Sequence, residues 1–126
     1  MIRPEVLKNI MPHLPKGIRR RLPKNINVAA VSAKESQKLN RRYRGKRKAA
    51  NVLSFRYGPG YGEIIVCPEV IRRDAKKTGR PYRRETKRMI THGLLHLAGL
   101  HHEKSPKARK KFEQVEQKVL SRFVDS

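Results

Sequence analysis

The chain has 126 residues, of which 32 are Lys or Arg and 10 are Asp or Glu, giving a formal net charge of +22. That length suits one domain burying roughly two thirds of its unfolded surface, and so much charge of one sign points to a polyanionic partner, nucleic acid before membrane. No run of about 18 apolar residues and no apolar signal segment is present, and the single Cys67 excludes an internal disulfide, so a reducing, cytoplasmic setting is expected.

In chain order, the first 25 residues predict a short helix from Pro4 to about Met11. Pro12 and Pro15 interrupt it, and a basic stretch with Arg19, Arg20 and Arg21 follows. "INVAAVS" is β-branched and bounded by polar residues, a strand. Ser32 caps the helix "AKESQKLNRRYR", with Glu35 completing a capping box, and Gly45 stops it. "NVLSFRY" and "EIIVC" are strands joined by the glycine-rich loop "GPGYG". Pro68 opens a helix through about Lys77, punctuated by Gly79 and Pro81. From Pro81 to Leu97 the pattern is helical again, and "MITHGLLHLAGL" is apolar on most sides, as in a buried helix. Ser105 and Pro106 begin a last helix with an apolar stripe of Phe112, Val115, Val119, Leu120, Phe123 and Val124. Strands flanked by helices make an α+β domain. The composition resembles that of disordered chains, but this patterning decides for a fold, and one expected to lean on a ligand.

The segment "HGLLHLAGLHH", positions 92 to 102, holds four of the five histidines. His92 and His96, four apart on a helix, project from one face about a turn apart, the spacing by which two imidazoles chelate one metal. Gly99 can leave the helix through a left-handed conformation and turn the chain back. His102 then completes the pattern H-x-x-x-H-x-x-G-x-x-H of the metzincin zinc motif. His101 is the alternative third ligand; the offset from Gly99 favours His102. Three neutral imidazoles leave a tetrahedral zinc one open position, as in catalytic sites. The zincin general base after the first histidine is missing, because that position is Gly93, so a zinc peptidase is disfavoured. Cys67, ending an apolar strand, reads as a small buried residue rather than a ligand.

Residues 92 to 102 resemble the H-G-x-L-H-L-x-G-Y-D-H signature of the YbeY family, bacterial metal-dependent single-strand endoribonucleases of ribosomal RNA maturation. "LNRRYRGKRKAANVLSFRYG" resembles that family's L-N-x-x-Y-R-x-K-x-x-P-T-[DN]-V-L-S-F, and "GEIIVCPEVIRRDAKKTG" its G-D-I-x-I-C strand and following helix. The likeness runs in order from about Ile26 to Glu103. It implies a single YbeY-like domain over residues 1–126 with a small mixed sheet. It also implies one zinc held by His92, His96 and His102, and a functional arginine at Arg44. Arg44 and His92 are thereby the candidate catalytic residues. The sequence departs from the family pattern in five places. His101 replaces an Asp, Ala49-Ala50 replaces Pro-Thr, Asn51 stands where many members have Asp, the hairpin loop is brief, and segment 1–25 looks shortened, as if the sheet had lost an edge.

The activity so implied is zinc-dependent cleavage of single-stranded RNA in 16S ribosomal RNA 3′-end maturation and ribosome quality control. RNA or a ribosomal particle is the expected partner, and neither DNA nor membrane. In that chemistry negative charge gathers on phosphoryl oxygens, which zinc and a planar guanidinium at Arg44 would stabilise. Tyr43, Tyr57 and Tyr61 are candidate stacking platforms for unpaired bases. The basic clusters spread along the whole chain, which suits docking on a ribosomal particle. The rival class is a non-catalytic basic ribosome-binding protein whose zinc is structural or absent.

Overall fold

The structure, a computed structural model, describes residues 5–122. Three strands form one sheet in the order β1-β3-β2: β1 (Asn25–Ala30), β2 (Val52–Arg56) and β3 (Tyr61–Val66). β1 runs parallel to β3 and β2 antiparallel to it, so the sheet is mixed and β2 lies at an edge. Around it stand α1 (Glu5–Ile10), α2 (Lys16–Arg19), α3 (Ala33–Arg44), α4 (Pro68–Thr78), α5 (Tyr82–Leu97) and α6 (Pro106–Ser121). This is the expected α+β class. Among the described residues, no helix is long and apolar enough to cross a membrane.

The punctuation residues act where expected. Ser32 Oγ accepts from the Glu35 N–H at 3.1 Å, and Ser105 Oγ accepts from the Ala108 N–H at 3.0 Å, each satisfying an orphan donor of its helix. Gly45 ends α3 with φ of 66°, a left-handed conformation open to glycine at little cost. The connection from α3 to β2 is tied back to the helix. Ser36 Oγ donates to the Ala50 carbonyl at 2.7 Å, and Asn40 Nδ2 to that of Lys48 at 2.8 Å.

Two elements differ from expectation. The hairpin loop is shorter than "GPGYG", because Tyr61 and Gly62 already belong to β3. A Cβ on Gly62 would lie 2.8 Å from Pro23 Cγ and 3.3 Å from Leu97 Cδ2, so this glycine marks close packing rather than a turn. The N-terminal segment is also more than a basic stretch. Ile10, Leu14, Ile18 and Leu22, spaced by four, are all buried in the main core. The prolines break that periodicity into α1, a 3-10 turn at Met11–His13, and α2, which hides it from a helical reading. Pro4, Phe123 and Val124, read as helical above, lie outside the described residues.

α5 crosses the sheet and is buried along most of its length, with Ile90, Leu94 and Leu95 fully out of solvent. Its approach is set by Gly93. A Cβ there would sit 3.0 Å from both Ile64 Cγ2 and Ser54 Oγ. Ser54 Oγ also donates to the Gly93 carbonyl at 3.1 Å, pinning the helix to β2.

Candidate metal centre

His92 and His96 leave α5 on one face, with their Nε2 atoms 3.2 Å apart. The helix then ends in a Schellman arrangement. The Gly99 N–H donates to the His96 carbonyl at 2.9 Å and the Leu100 N–H to that of Leu95 at 3.0 Å, with Gly99 at φ of 91°. Arg56 Nη1, at the end of β2, donates to the Leu97 carbonyl at 2.6 Å and braces the same turn. Past it the chain doubles back and His102 faces the other two rings. Their ring centres are 5.1 Å from His102 in both cases. One ring nitrogen from each of His92, His96 and His102 lies within 4.8 Å of the others.

Those residues fit a zinc ion. Tetrahedral zinc with bonds of about 2.0–2.1 Å sets its ligand nitrogens roughly 3.3 Å apart, and the His92–His96 pair is already at that spacing. Glu116, on α6, faces His92 with its Oε2 2.9 Å from Nδ1. A carboxylate can only accept, so the shared proton sits on Nδ1 and Nε2 is turned toward the other imidazoles. Glu116 is buried, and Arg88 Nε stands 3.7 Å from its other oxygen. Arg88 also meets the buried Glu85 at 3.1 Å, and Arg80 meets Glu85 at 3.4 Å. Beneath the three rings lies Phe112, its centre 4.7 Å from His92, 5.2 Å from His96 and 5.1 Å from His102.

Electrostatics keeps the cluster ready for a cation. Burial pushes the His96 imidazole down to about 4, helped by repulsion from His92, His102 and His101. Burial and His92 likewise lower His102, against a raising pull from Glu103. A neutral imidazole is the form that binds metal.

The histidines open into a cavity of about 570 Å³. Every residue of the edge strand β2 lines it, as do Tyr43 and Arg44 from the end of α3. Arg44 Nη2 is 3.7 Å from Glu103 Oε1, which is also 3.5 Å from His102 Nε2. Of the lining residues Glu103 is the only acid. Gly93 contributes nothing to the cavity. Its missing side chain would run into the sheet, so the site has no zincin-style glutamate for a geometric reason.

The structure thus brings His92, His96, His102 and Arg44 to one cavity. His101 lines the same cavity but stands outside the group of three: its Nδ1 lies 3.4 Å from His96 Nδ1, on the ring nitrogen opposite the one facing His92. Cys67 is buried and outside the histidine group. Asn51 donates through Nδ2 to Asp74 Oδ2 at 3.3 Å, linking the start of β2 to α4. Sequence reasoning missed Glu116, Glu103 and the role of Phe112. Glu116 did carry a signal, since it sits four residues after Phe112 and three before Val119, a carboxylate on the apolar stripe of α6.

A family model described as Endoribonuclease YbeY matches residues 4–124. An Endoribonuclease YbeY of Thermotoga neapolitana is 35% identical over 113 residues, covering 87% of this chain and 76% of its own. One of Aquifex aeolicus is 37% identical over 104 residues, covering 78% and 69%. The solution structure of TM1509 from Thermotoga maritima superposes with a TM-score of 0.60 at 26% identity, over 93% of this chain and 83% of that one. On the match of nearly its whole length, this chain belongs to the YbeY endoribonuclease family.

Proposed function

We infer that the protein is a zinc-dependent endoribonuclease of single-stranded RNA. It would work in the cytoplasm on the 3′ end of 16S ribosomal RNA and in ribosome quality control, as one YbeY-like domain. The observation that carries this reading is the convergence of three imidazoles and one arginine on a single cavity in a chain of net charge +22.

In this reading His92, His96 and His102 hold the ion. When bound, it would polarise a phosphoryl oxygen and supply an activated water. The remaining work falls to the chain. Glu116 fixes the His92 ring through Nδ1, and Phe112 excludes water from beneath all three rings. Arg44 clamps the scissile phosphate through two N–H donors, exchanging its long contact with Glu103 for the stronger one to phosphate. In this reading Glu103, beside His102, takes the proton of the attacking water and returns it to the ribose oxygen that leaves as the P–O bond breaks. It provides a carboxylate just after the last histidine, where the family pattern has one just before it. The surrounding Lys and Arg draw in the RNA backbone.

The test joins elemental analysis of the purified protein with cleavage of an end-labelled single-stranded RNA. A variant with His92→Ala and His96→Ala serves as the control for contaminating ribonuclease. About one zinc per chain and metal-dependent cleavage, both lost in the variant, are expected. Cleavage that persists in the variant would leave a contaminant as its source. Absence of zinc and cleavage after zinc resupply would leave a non-catalytic RNA-binding protein.

A further inference from the structure

We propose that Tyr43, backed by Phe55, is a stacking subsite for one unpaired nucleobase at the wall of the histidine cavity. The inference rests on the RNA reading above and specifies what holds the base while Arg44 holds the phosphate.

Tyr43 sits in the last turn of α3 and is 56% exposed, a large ring kept in water on a helix end otherwise made of charge. It is nevertheless held in place. Phe55 of β2 meets it edge to face, ring centres 5.1 Å apart at 65°, and the Arg42 guanidinium lies 5.3 Å from its centre. Successive β2 side chains alternate between faces. Ser54 and Arg56 turn to α5, whereas Phe55 turns to α3 and carries the tyrosine. The hydrogen bonds from Ser36, Gln37 and Asn40 to the carbonyls of residues 47 to 50 fix the connection between the two rings. The platform is therefore ordered before a ligand arrives.

The occupant follows from charge and position. Tyr43 and Phe55 line the same cavity as the histidines, and Arg44 is the next residue after Tyr43. Arg41, Arg42, Lys46, Arg47 and Lys48, close to Tyr43 along the chain, are all exposed, and the Arg42 guanidinium lies over the ring itself. The acid within this patch is Glu103, already facing Arg44. A strongly cationic rim around an exposed aromatic ring is the surface that tracks a polyanion and stacks its bases. In a duplex each base has both faces covered, so only an unpaired nucleotide can use it. Selectivity for single strands then has a structural source apart from the metal.

The other two exposed tyrosines are internal controls. Tyr57 and Tyr61 stack on each other, centres 5.6 Å apart at 19°, and the Tyr57 hydroxyl is 3.2 Å from Glu63 Oε1. Neither lines the cavity.

The experiment measures binding by fluorescence anisotropy, using the zinc-supplied protein and a labelled, uncleavable 2′-O-methyl phosphorothioate RNA of about 10 nucleotides. The same strand annealed to its complement is the duplex probe. Tyr43→Ala is expected to weaken single-strand binding by about 10-fold. Tyr43→Phe and Tyr57→Ala should stay near wild type, and duplex binding by Tyr43→Ala should be unchanged. An abasic scan of the strand should find one position that costs wild type as much and Tyr43→Ala nothing further. Equal loss for single strand and duplex, or no loss, overturns the stacking subsite. If wild type binds and Arg44→Ala weakens it while Tyr43→Ala does not, stacking alone fails. If wild type fails to bind the strand, the RNA reading and this one fall together.

Discussion

Glu116 Oε2 stands 2.9 Å from His92 Nδ1, joining α6 to the first histidine of α5 across 24 residues of chain. The carboxylate is buried and its second oxygen is matched by Arg88, so the contact is set by packing rather than by chance on a surface. It turns three histidines close in sequence into a site that depends on the next helix in the chain.

Substituting Glu116 should therefore weaken the metal without removing a ligand. Loss of such an outer partner costs roughly 10–100-fold in metal affinity. Glu116→Gln keeps the volume and an acceptor oxygen and should lie at the small end, with Glu116→Ala at the large end. Chelator competition on folded samples, checked by circular dichroism, reads this. An alanine variant binding zinc as tightly as wild type would remove Glu116 from the site.

The pH response of the metal-free protein follows from His96. Its folded value of about 4 lies below the ordinary imidazole value of about 6.5. The unfolded chain therefore binds the proton first as pH falls. The contribution of neutral His96 is complete above about pH 6.5 and is lost progressively as pH falls toward 4. Urea titrations between pH 7.5 and 4 in chelator should show stability declining through that window. Histidine proton shifts followed by NMR should give one imidazole that stays neutral below pH 5. A His96 ring titrating near 6.5 in the folded protein would contradict the burial argument.

Zinc, bound as proposed, should act as a stabiliser, because the folded histidine cluster offers a ligand geometry that the unfolded chain lacks. At free zinc 100 times its dissociation constant the gain is about 2.7 kcal/mol, seen as a higher melting temperature. Below pH 6 the gain should shrink as protons compete for the ligands. An unchanged melting curve after complete metal removal would show a fold independent of the site.

Gly93→Ala tests why the zincin base is absent. Overpacking a well-filled contact costs about 1–3 kcal/mol, against which the helix propensity of alanine returns up to about 1 kcal/mol. Ile64 is fully buried and Ser54 Oγ is committed to the Gly93 carbonyl, so neither neighbour yields cheaply. Net destabilisation of about 1–2 kcal/mol is expected from denaturant unfolding. A stabilised variant would show that α5 can shift off the sheet.

Arg44 separates charge from geometry. Arg44→Ala should lower kcat/KM for single-stranded RNA by roughly 100-fold, the scale of removing one donor to a developing anion. Arg44→Lys restores the charge without the fork and should recover little of that loss. Undiminished cleavage by the lysine variant would refute a bidentate clamp.

Helix boundaries were legible because their signals are local. Ser32, Gly45, Pro68 and Ser105 each act on backbone groups within one turn, and all four sit where the sequence put them. The three histidines were legible for the same reason, since an i, i+4 pair and a glycine turn span only eleven residues. The N-terminal core residues were not, because Pro12 and Pro15 break their four-residue rhythm. Gly62 looked like a turn, and only the approach of Pro23 and Leu97 identifies it as a packing residue.

The sequence by itself determined the helices from α3 onward, the strands, the metal-binding spacing and the family, all of which depend on short-range periodicity and on residue types at fixed offsets. Tertiary structure alone decided where His101, set aside by its offset from Gly99, comes to lie, beside the His96 ring. It also decided that Glu116 orients His92, that Gly93 points into the sheet, and that Arg44 and Tyr43 reach the same cavity across β2. Those are contacts between segments distant along the chain. They exist because the apolar faces of α5 and α6 are buried in one close-packed core, which brings the polar groups they carry to one place.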